Sequence, residues 1–201
     1  MKIRVLSHYL FDNDMKANDI NDENVESLNK AFISIIGTKE CLEYYLDEGE
    51  TKHYFNDNHK NVLNLDFDDC DTHVNYNGHL FKTMTIEQAE NAIDFIENMI
   101  NKGVDEIKIH CRAGYSRSRA FAEFIYRYCK ENDIDVDYDE RRYYTTVLNQ
   151  GVLRRLNHAY WKKHKMNDYE DGNIDYPKDM YDIYVIADNC NDYCFCNFHQ
   201  Q

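Results

Sequence analysis

The sequence predicts an α/β domain with a central, mostly parallel twisted sheet flanked by helices. Short apolar runs, most of them rich in Val or Ile, have the length and texture of buried strands. Amphipathic helical stretches alternate with them, the order that builds a parallel sheet. A chain of 201 residues, 43% of them hydrophobic, can bury its own core without crosslinks.

The strand-like runs are Ile3–Leu6, Ala31–Ile36, Val62–Phe67 and Ile107–Ile109. Between the last two lies a strong helix signal. Thr85 and Gln88 form a capping box, Ile86, Ala89, Ile93, Ile96 and Ile100 recur at helical spacing, and Gly103 supplies the stop. A second helix is expected after Ser116, with Ala120, Phe121, Phe124, Ile125 and Tyr128 on its buried face. Further helix is expected across Glu140–Leu148 and Val152–Lys163. Residues 166–201 break this rhythm: the stretch is acidic and Tyr-rich, with one strand-like run at Tyr181–Ala187. The expected organisation is therefore a domain over 1–165 and an extension over 166–201, either an added edge strand or a loosely attached tail.

No stretch approaches the ~20 apolar residues that span a bilayer. The first residues, MKIRVLSHYLF, hold too short an apolar run for a secretory signal. Seven irregularly spaced cysteines fit free thiols in a reducing compartment, so a cytoplasmic protein with no membrane partner is expected. The net charge of −14 argues against nucleic acid as a partner. Its distribution is uneven. Residues 111–165 carry 12 Lys/Arg against 7 Asp/Glu, whereas 1–110 carry 10 against 22. A basic segment inside an acidic chain either attracts an anionic ligand or is ordinary solvated surface.

The segment from Ile107 to Ser118 separates these alternatives. It reads as a buried strand, a thiol at Cys111, five residues, Arg117, Ser118 and then a helix. A strand-to-helix loop offers unpaired N–H groups and the positive end of a helix dipole to an anion. Gly114 lets the backbone turn tightly enough for successive N–H groups to converge. A cysteine placed there meets a potential that favours its thiolate, which is the nucleophilic form. The planar fork of Arg117 can hold two phosphate oxygens and stabilise the charge of phosphoryl transfer. Ser118 can donate to the sulfur and help it leave. His110 suits an orienting role better than that of acid or base.

The run His110-Cys-Arg-Ala-Gly-Tyr-Ser-Arg-Ser118 resembles the signature loop HCxxGxxR[ST] of the protein-tyrosine and dual-specificity phosphatases. Ala31–Ile36 with Gly37, Val62–Asp69 and the helix from Thr85 sit where small bacterial and phage members have equivalent elements, so the resemblance covers 1–165. It implies a sheet flanked by helices, a phosphocysteine intermediate, no metal and no organic cofactor. Residues Arg112, Ala113, Gly114, Tyr115, Ser116 and Arg117 would surround the phosphate of a phosphorylated protein, and Cys111, Arg117 and Ser118 would do the chemistry. Arg119 departs from the small residue that commonly follows the Ser/Thr.

The resemblance also implies a general acid, an Asp on a loop. Asp66, Asp68, Asp69 and Asp71 are the candidates. Leu63, Leu65 and Phe67 alternate inward, so the strand should end near Phe67 with Asp66 on its outer face. The match to a Leu-x-Phe-Asp-Asp pattern favours Asp69 over Asp68, and a solvated loop carboxylate is the bland reading of the others. The short domain fits phosphotyrosine with phosphoserine and phosphothreonine as further substrates. RNA 5′-phosphatases and phosphoinositide phosphatases share such a loop, but the acidic surface counts against both. A phosphoprotein-binding pseudophosphatase and a rhodanese-like sulfur transferase are the rivals from other classes. Outside the loop, Cys190, Cys194, Cys196 and His199 match no common zinc spacing. Cys70 adjoins the candidate acid, where it is either simply buried or an oxidation partner of Cys111. Asn149 and Gln150 resemble an Asn-containing turn near the pocket of small phosphatases.

Overall fold

In the computed structural model, which describes residues 1–45, 52–56, 59–138 and 148–170, the four strands expected before residue 110 are present. The strands are β1 (Lys2–Ser7), β2 (Lys30–Ile36), β3 (Val62–Asp66), β4 (Val74–Tyr76), β5 (His79–Phe81) and β6 (Glu106–Cys111). The helices are α1 (His8–Ala17), α2 (Lys39–Tyr45), α3 (Ile86–Asn101), α4 (Arg117–Glu131) and α5 (Gln150–Glu170), with a 3₁₀ turn at Val25–Ser27. Four strands form an all-parallel sheet in the order β1-β6-β2-β3.

Pleating divides the core in two, because successive side chains on a strand point to opposite faces. Ile33, Ile35, Leu65, Ile107 and Ile109 join the cluster that holds residues of α3, α4 and α5. Phe32 and Val62 face the other way, onto Phe11 and Met15 of α1 and onto Phe55. Both faces of β2 and β6 are covered, so their polar residues Ser34, Lys108 and His110 are buried along with the apolar ones.

The helix α3 starts and stops where the sequence places its signals. The Thr85–Gln88 capping box forms with both of its hydrogen bonds. At the other end Gly103 adopts φ +69°, with its N–H bonded to the carbonyl of Ile100 and that of Val104 to Met99. Between them Ile93, Ile96 and Met99 are buried, each burial worth about 1.5–3 kcal/mol. The expected buried face of α4 is observed at Ala120, Phe121, Phe124 and Ile125, with Tyr128 partly buried beside them.

Besides the helices α1 and α2, two further features were not expected from the sequence. The strands β4 and β5 form a separate antiparallel hairpin around Asn77 and Gly78, both at positive φ, the pair that favours a two-residue turn. The outer edge of β1 is capped by a bridge from Lys2 to Asp137. The expected helix at 152–163 lies within α5, which continues to Glu170. Of the helix expected at 140–148 only Leu148 lies among the described residues, and the run at 181–187 lies outside them, as do Cys190, Cys194, Cys196 and His199. Among the described residues no helix is long and apolar enough to cross a membrane.

Candidate active site

The strand β6 ends at Cys111 and α4 begins at Arg117, so residues 112–116 are a loop from strand to helix. Cys111 is buried beneath it, with its Sγ 3.0 Å from Ser118 Oγ in the first turn of α4. Gly114 is required here for two reasons. Its φ is +75°, and a Cβ would come within 2.7 Å of the backbone of Leu6 and Ser7. The loop is thus pressed against the end of β1, where Ser7 pairs in register with Cys111 and His8 N–H donates to the carbonyl of Arg112.

Among the described residues, the backbone N–H groups of Ala113, Gly114, Tyr115 and Ser116 donate to no protein acceptor. Ser116 occupies the N-cap position of α4, but its side chain makes no capping bond. The hydroxyl donates instead to Asp69 Oδ1, at 2.7 Å. The start of α4 therefore keeps its donors and its positive dipole end for a ligand. Tyr115 is 55% exposed on the loop's outer side.

Arg117 is buried, and its Nη1 donates to the carbonyl of Phe67 at 2.7 Å, with the guanidinium carbon 6.0 Å from the Phe67 ring centroid. This contact ties the start of α4 to the residues that follow β3. The candidate acids are all in this stretch, and the fold gives each a different environment. Asp66 ends β3, and its side chain is 63% exposed. Asp68 is buried, and the bland reading of a solvated carboxylate is wrong for it. Its Oδ1 accepts from Thr38 N–H, and its Oδ2 from the Thr38 hydroxyl and Lys82 N–H. Asp68 is thus a hub joining the β2–α2 turn to the residue after β5.

Asp69 is exposed and turned toward the loop, its Oδ1 accepting from Ser116 and, at 2.8 Å, from Asn149 Nδ2. Asn149 in turn caps α5, its Oδ1 accepting from Val152 N–H at 2.8 Å. Asp71 accepts from Gly151 N–H, and a Cβ on Gly151 would meet it at 2.8 Å. The fold thus gathers Cys111, Ser118, Ser116, Asp69 and Asn149 around one loop end. Gln150 is exposed at the start of α5 and makes no such contact among the described residues.

His110 is fully buried, with its Nε2 2.7 Å from Ser34 Oγ and its ring 4.2 Å from that of Phe11. Burial pushes its imidazole well below the ordinary value, with His8, His53 and Arg117 adding to the shift, so it is neutral at physiological pH. A buried neutral ring held by Ser34 fits an orienting role. Cys70 and Cys111 are both buried free thiols. Cys41 went unnoticed in the sequence. Burial, then the charge of Asp68, pushes this thiol up to about 12, which leaves it inert at neutral pH. Among the described residues no cluster of three His, Cys, Asp or Glu side chains could hold a metal ion. No family model, characterised protein or solved structure gives a significant match to this chain.

Proposed function

We propose that the chain is a phosphomonoester hydrolase with a protein-tyrosine-phosphatase-like fold, working through a phosphocysteine on Cys111. Its substrates are phosphotyrosine proteins, with phosphoserine and phosphothreonine proteins as further ones, and its free thiols suit the cytoplasm. The single observation that carries this reading is the Cys111–Ser118 contact, 3.0 Å long, beneath a loop with four open amide donors. A sulfur nucleophile, a hydroxyl to receive it as leaving group and a set of N–H groups for three phosphoryl oxygens are the parts that transfer to cysteine needs.

In the first step the Cys111 thiolate attacks phosphorus in line with the leaving oxygen. The P–S bond forms as the P–O bond breaks, and Asp69 gives its proton to the departing oxygen. Arg117 and the amides of 112–117 hold the equatorial oxygens as their charge spreads. In the second step Asp69, now a carboxylate, takes a proton from water as that water attacks phosphorus. The P–S bond breaks, inorganic phosphate leaves, and Ser118 donates to the departing sulfur.

The test is hydrolysis of p-nitrophenyl phosphate and of a phosphotyrosyl peptide, inhibited by vanadate and absent in Cys111→Ser. Cys111→Ser should still bind the phosphopeptide, because the cradle is mostly backbone. Turnover in Cys111→Ser within tenfold of wild type would refute the assignment. A wild-type protein that binds the phosphopeptide but never hydrolyses it would be a binding module instead. Turnover confined to RNA 5′ ends or inositol phosphates would keep the chemistry and replace the substrate class.

A further inference from the structure

The histidine before the nucleophile is the inner end of a hydrogen-bonded chain that reaches the surface. Ser34 is the register partner of His110 across β2 and β6, so both side chains emerge on the α1 face of the sheet. Asn64 is the register partner of Ser34 on β3, and Asp66, two residues on, shares that face. His53 closes the gap. Its Nδ1 is 2.7 Å from Ser34 Oγ and its Nε2 is 3.1 Å from Asp66 Oδ1. No local motif announces this, because three of the four residues come from separate strands brought together by register and His53 comes from a loop.

With His53 neutral, the chain has one direction. The Asp66 carboxylate can only accept, so the proton of neutral His53 is on Nε2. His53 Nδ1 then offers a lone pair, and Ser34 donates its single proton to it. The Ser34 oxygen must accept from His110, whose proton is therefore on Nε2 and whose Nδ1 is a lone pair. Among the described residues His110 Nδ1 has no hydrogen-bond partner. A buried lone pair without a donor is the lesser cost, since orphaned buried N–H groups are rarer still. Phe11 and His8 pack against the ring, their centroids 4.2 Å and 5.2 Å from its own.

We propose that Asp66 and His53 are positioning residues of the site, which act through Ser34 to hold His110 as the neutral Nε2–H tautomer and so fix the reactivity of Cys111. The inference rests on the reading of Cys111 as nucleophile. Its physical content is that a surface carboxylate, 63% exposed, orients a ring buried beside the reacting thiol. The other titratable and charged groups facing the chain are His8 of α1, itself 3.8 Å from Asp12, and Arg117 at the start of α4.

The experiment uses the full chain and two readouts that need no turnover. The first is NMR of the imidazole nitrogens, which reports the tautomer of His110. The second is the rate of Cys111 alkylation by iodoacetamide from pH 5 to pH 8. In wild type at pH 8 His110 should carry its proton on Nε2. Asp66→Ala and Ser34→Ala should each mix the His110 tautomers and slow alkylation at pH 6 by about tenfold, the scale expected when a reacting group loses its positioning. Ser34→Thr, which keeps the hydroxyl, should restore the rate. Asp22→Ala, which strips a carboxylate from His59 elsewhere on the surface, should leave both readouts unchanged. An Nδ1–H tautomer in wild type would overturn the proposal, as would native alkylation in Asp66→Ala. Should Ser34→Ala fail to fold, the exposed Asp66 position still decides it. A protein with the expected tautomer and alkylation profile but no phosphatase activity would refute only the functional reading.

Discussion

Asp69 and Ser116 face each other at the mouth of the loop, the serine hydroxyl donating to Oδ1 across 2.7 Å. Asn149 donates to the same oxygen. Among the described residues Oδ2 makes no hydrogen bond, so it is the oxygen with room to carry a proton to a leaving group. Asp68, next in the chain, has both oxygens committed to Thr38 and Lys82. The two neighbours should therefore fail in different ways. Asp69→Asn should slow phosphotyrosine hydrolysis by about 10²–10⁴-fold, the usual benefit of a positioned acid. An activated aryl phosphate should suffer less, because its leaving group needs the proton less.

Asp68→Asn should act on stability instead. An amide NH₂ in place of either oxygen meets an N–H or a hydroxyl that is already a donor, and the site is buried. A loss of about 2–3 kcal/mol is expected. Urea denaturation of both variants, with kinetics on both substrates, checks the pair. A leaving-group-dependent loss larger in Asp68→Asn than in Asp69→Asn would reverse the assignment.

Arg117→Lys should reduce kcat/KM by about 10²–10³-fold while leaving the fold intact, because an ammonium cannot replace a two-pronged contact. Nη1 already donates to the Phe67 carbonyl, so the substitution should also loosen the loop that carries Asp69. Near-normal kcat/KM for Arg117→Lys would remove Arg117 from the phosphate cradle.

Gly114→Ala should be more damaging than an alanine at Tyr115, although both lie in the loop. At Gly114 the new methyl must both adopt φ +75° and enter the backbone of Leu6 and Ser7 at 2.7 Å. The loop must move, so vanadate binding should fall by at least about 10²-fold. Tyr115→Ala should keep vanadate affinity within a few fold. Equal affinities would mean that the loop does not hold the oxyanion.

How much of this was legible in the sequence follows from what each feature depends on. The strands, α3 with its caps and the loop at 110–118 are local: each is written in contiguous residues at a fixed spacing. Asp69 could be favoured over its neighbours only through a pattern match, because period-two alternation locates the end of β3 but not what lies across from it. Asp68 was misread because loops rich in Asp are usually solvated, while its three donors come from Thr38 and Lys82, far away in sequence. The Asn77-Gly78 turn was readable and was missed, its flanking strands being only three residues each. The chain from His110 to Asp66 was unreadable, since it depends on which strands become neighbours.

Stability should depend on pH through His110. Its imidazole titrates well below 6.5 when folded and near 6.5 when unfolded. Below that value the unfolded chain therefore binds the extra proton, and stability falls as pH falls; above it the contribution is fully present. The slope from this group should reach about 1.4 kcal/mol per pH unit. His158, also lowered, adds in the same direction. Denaturant titrations at pH 5, 6 and 7.5 should show a shallower loss in His110→Asn than in wild type. The same slope in both would mean that His110 is not the buried neutral group.

The covalent step is the central claim, and Ser118 gives a way to trap it. Ser118→Ala removes the hydroxyl 3.0 Å from Cys111 Sγ, which should slow release of the sulfur more than its attack on phosphorus. Acid quenching of this variant during turnover of a phosphotyrosyl peptide, followed by peptide mass spectrometry, should find one phosphate on Cys111. Phosphate on any other residue, or steady hydrolysis by a variant lacking Cys111, would contradict it.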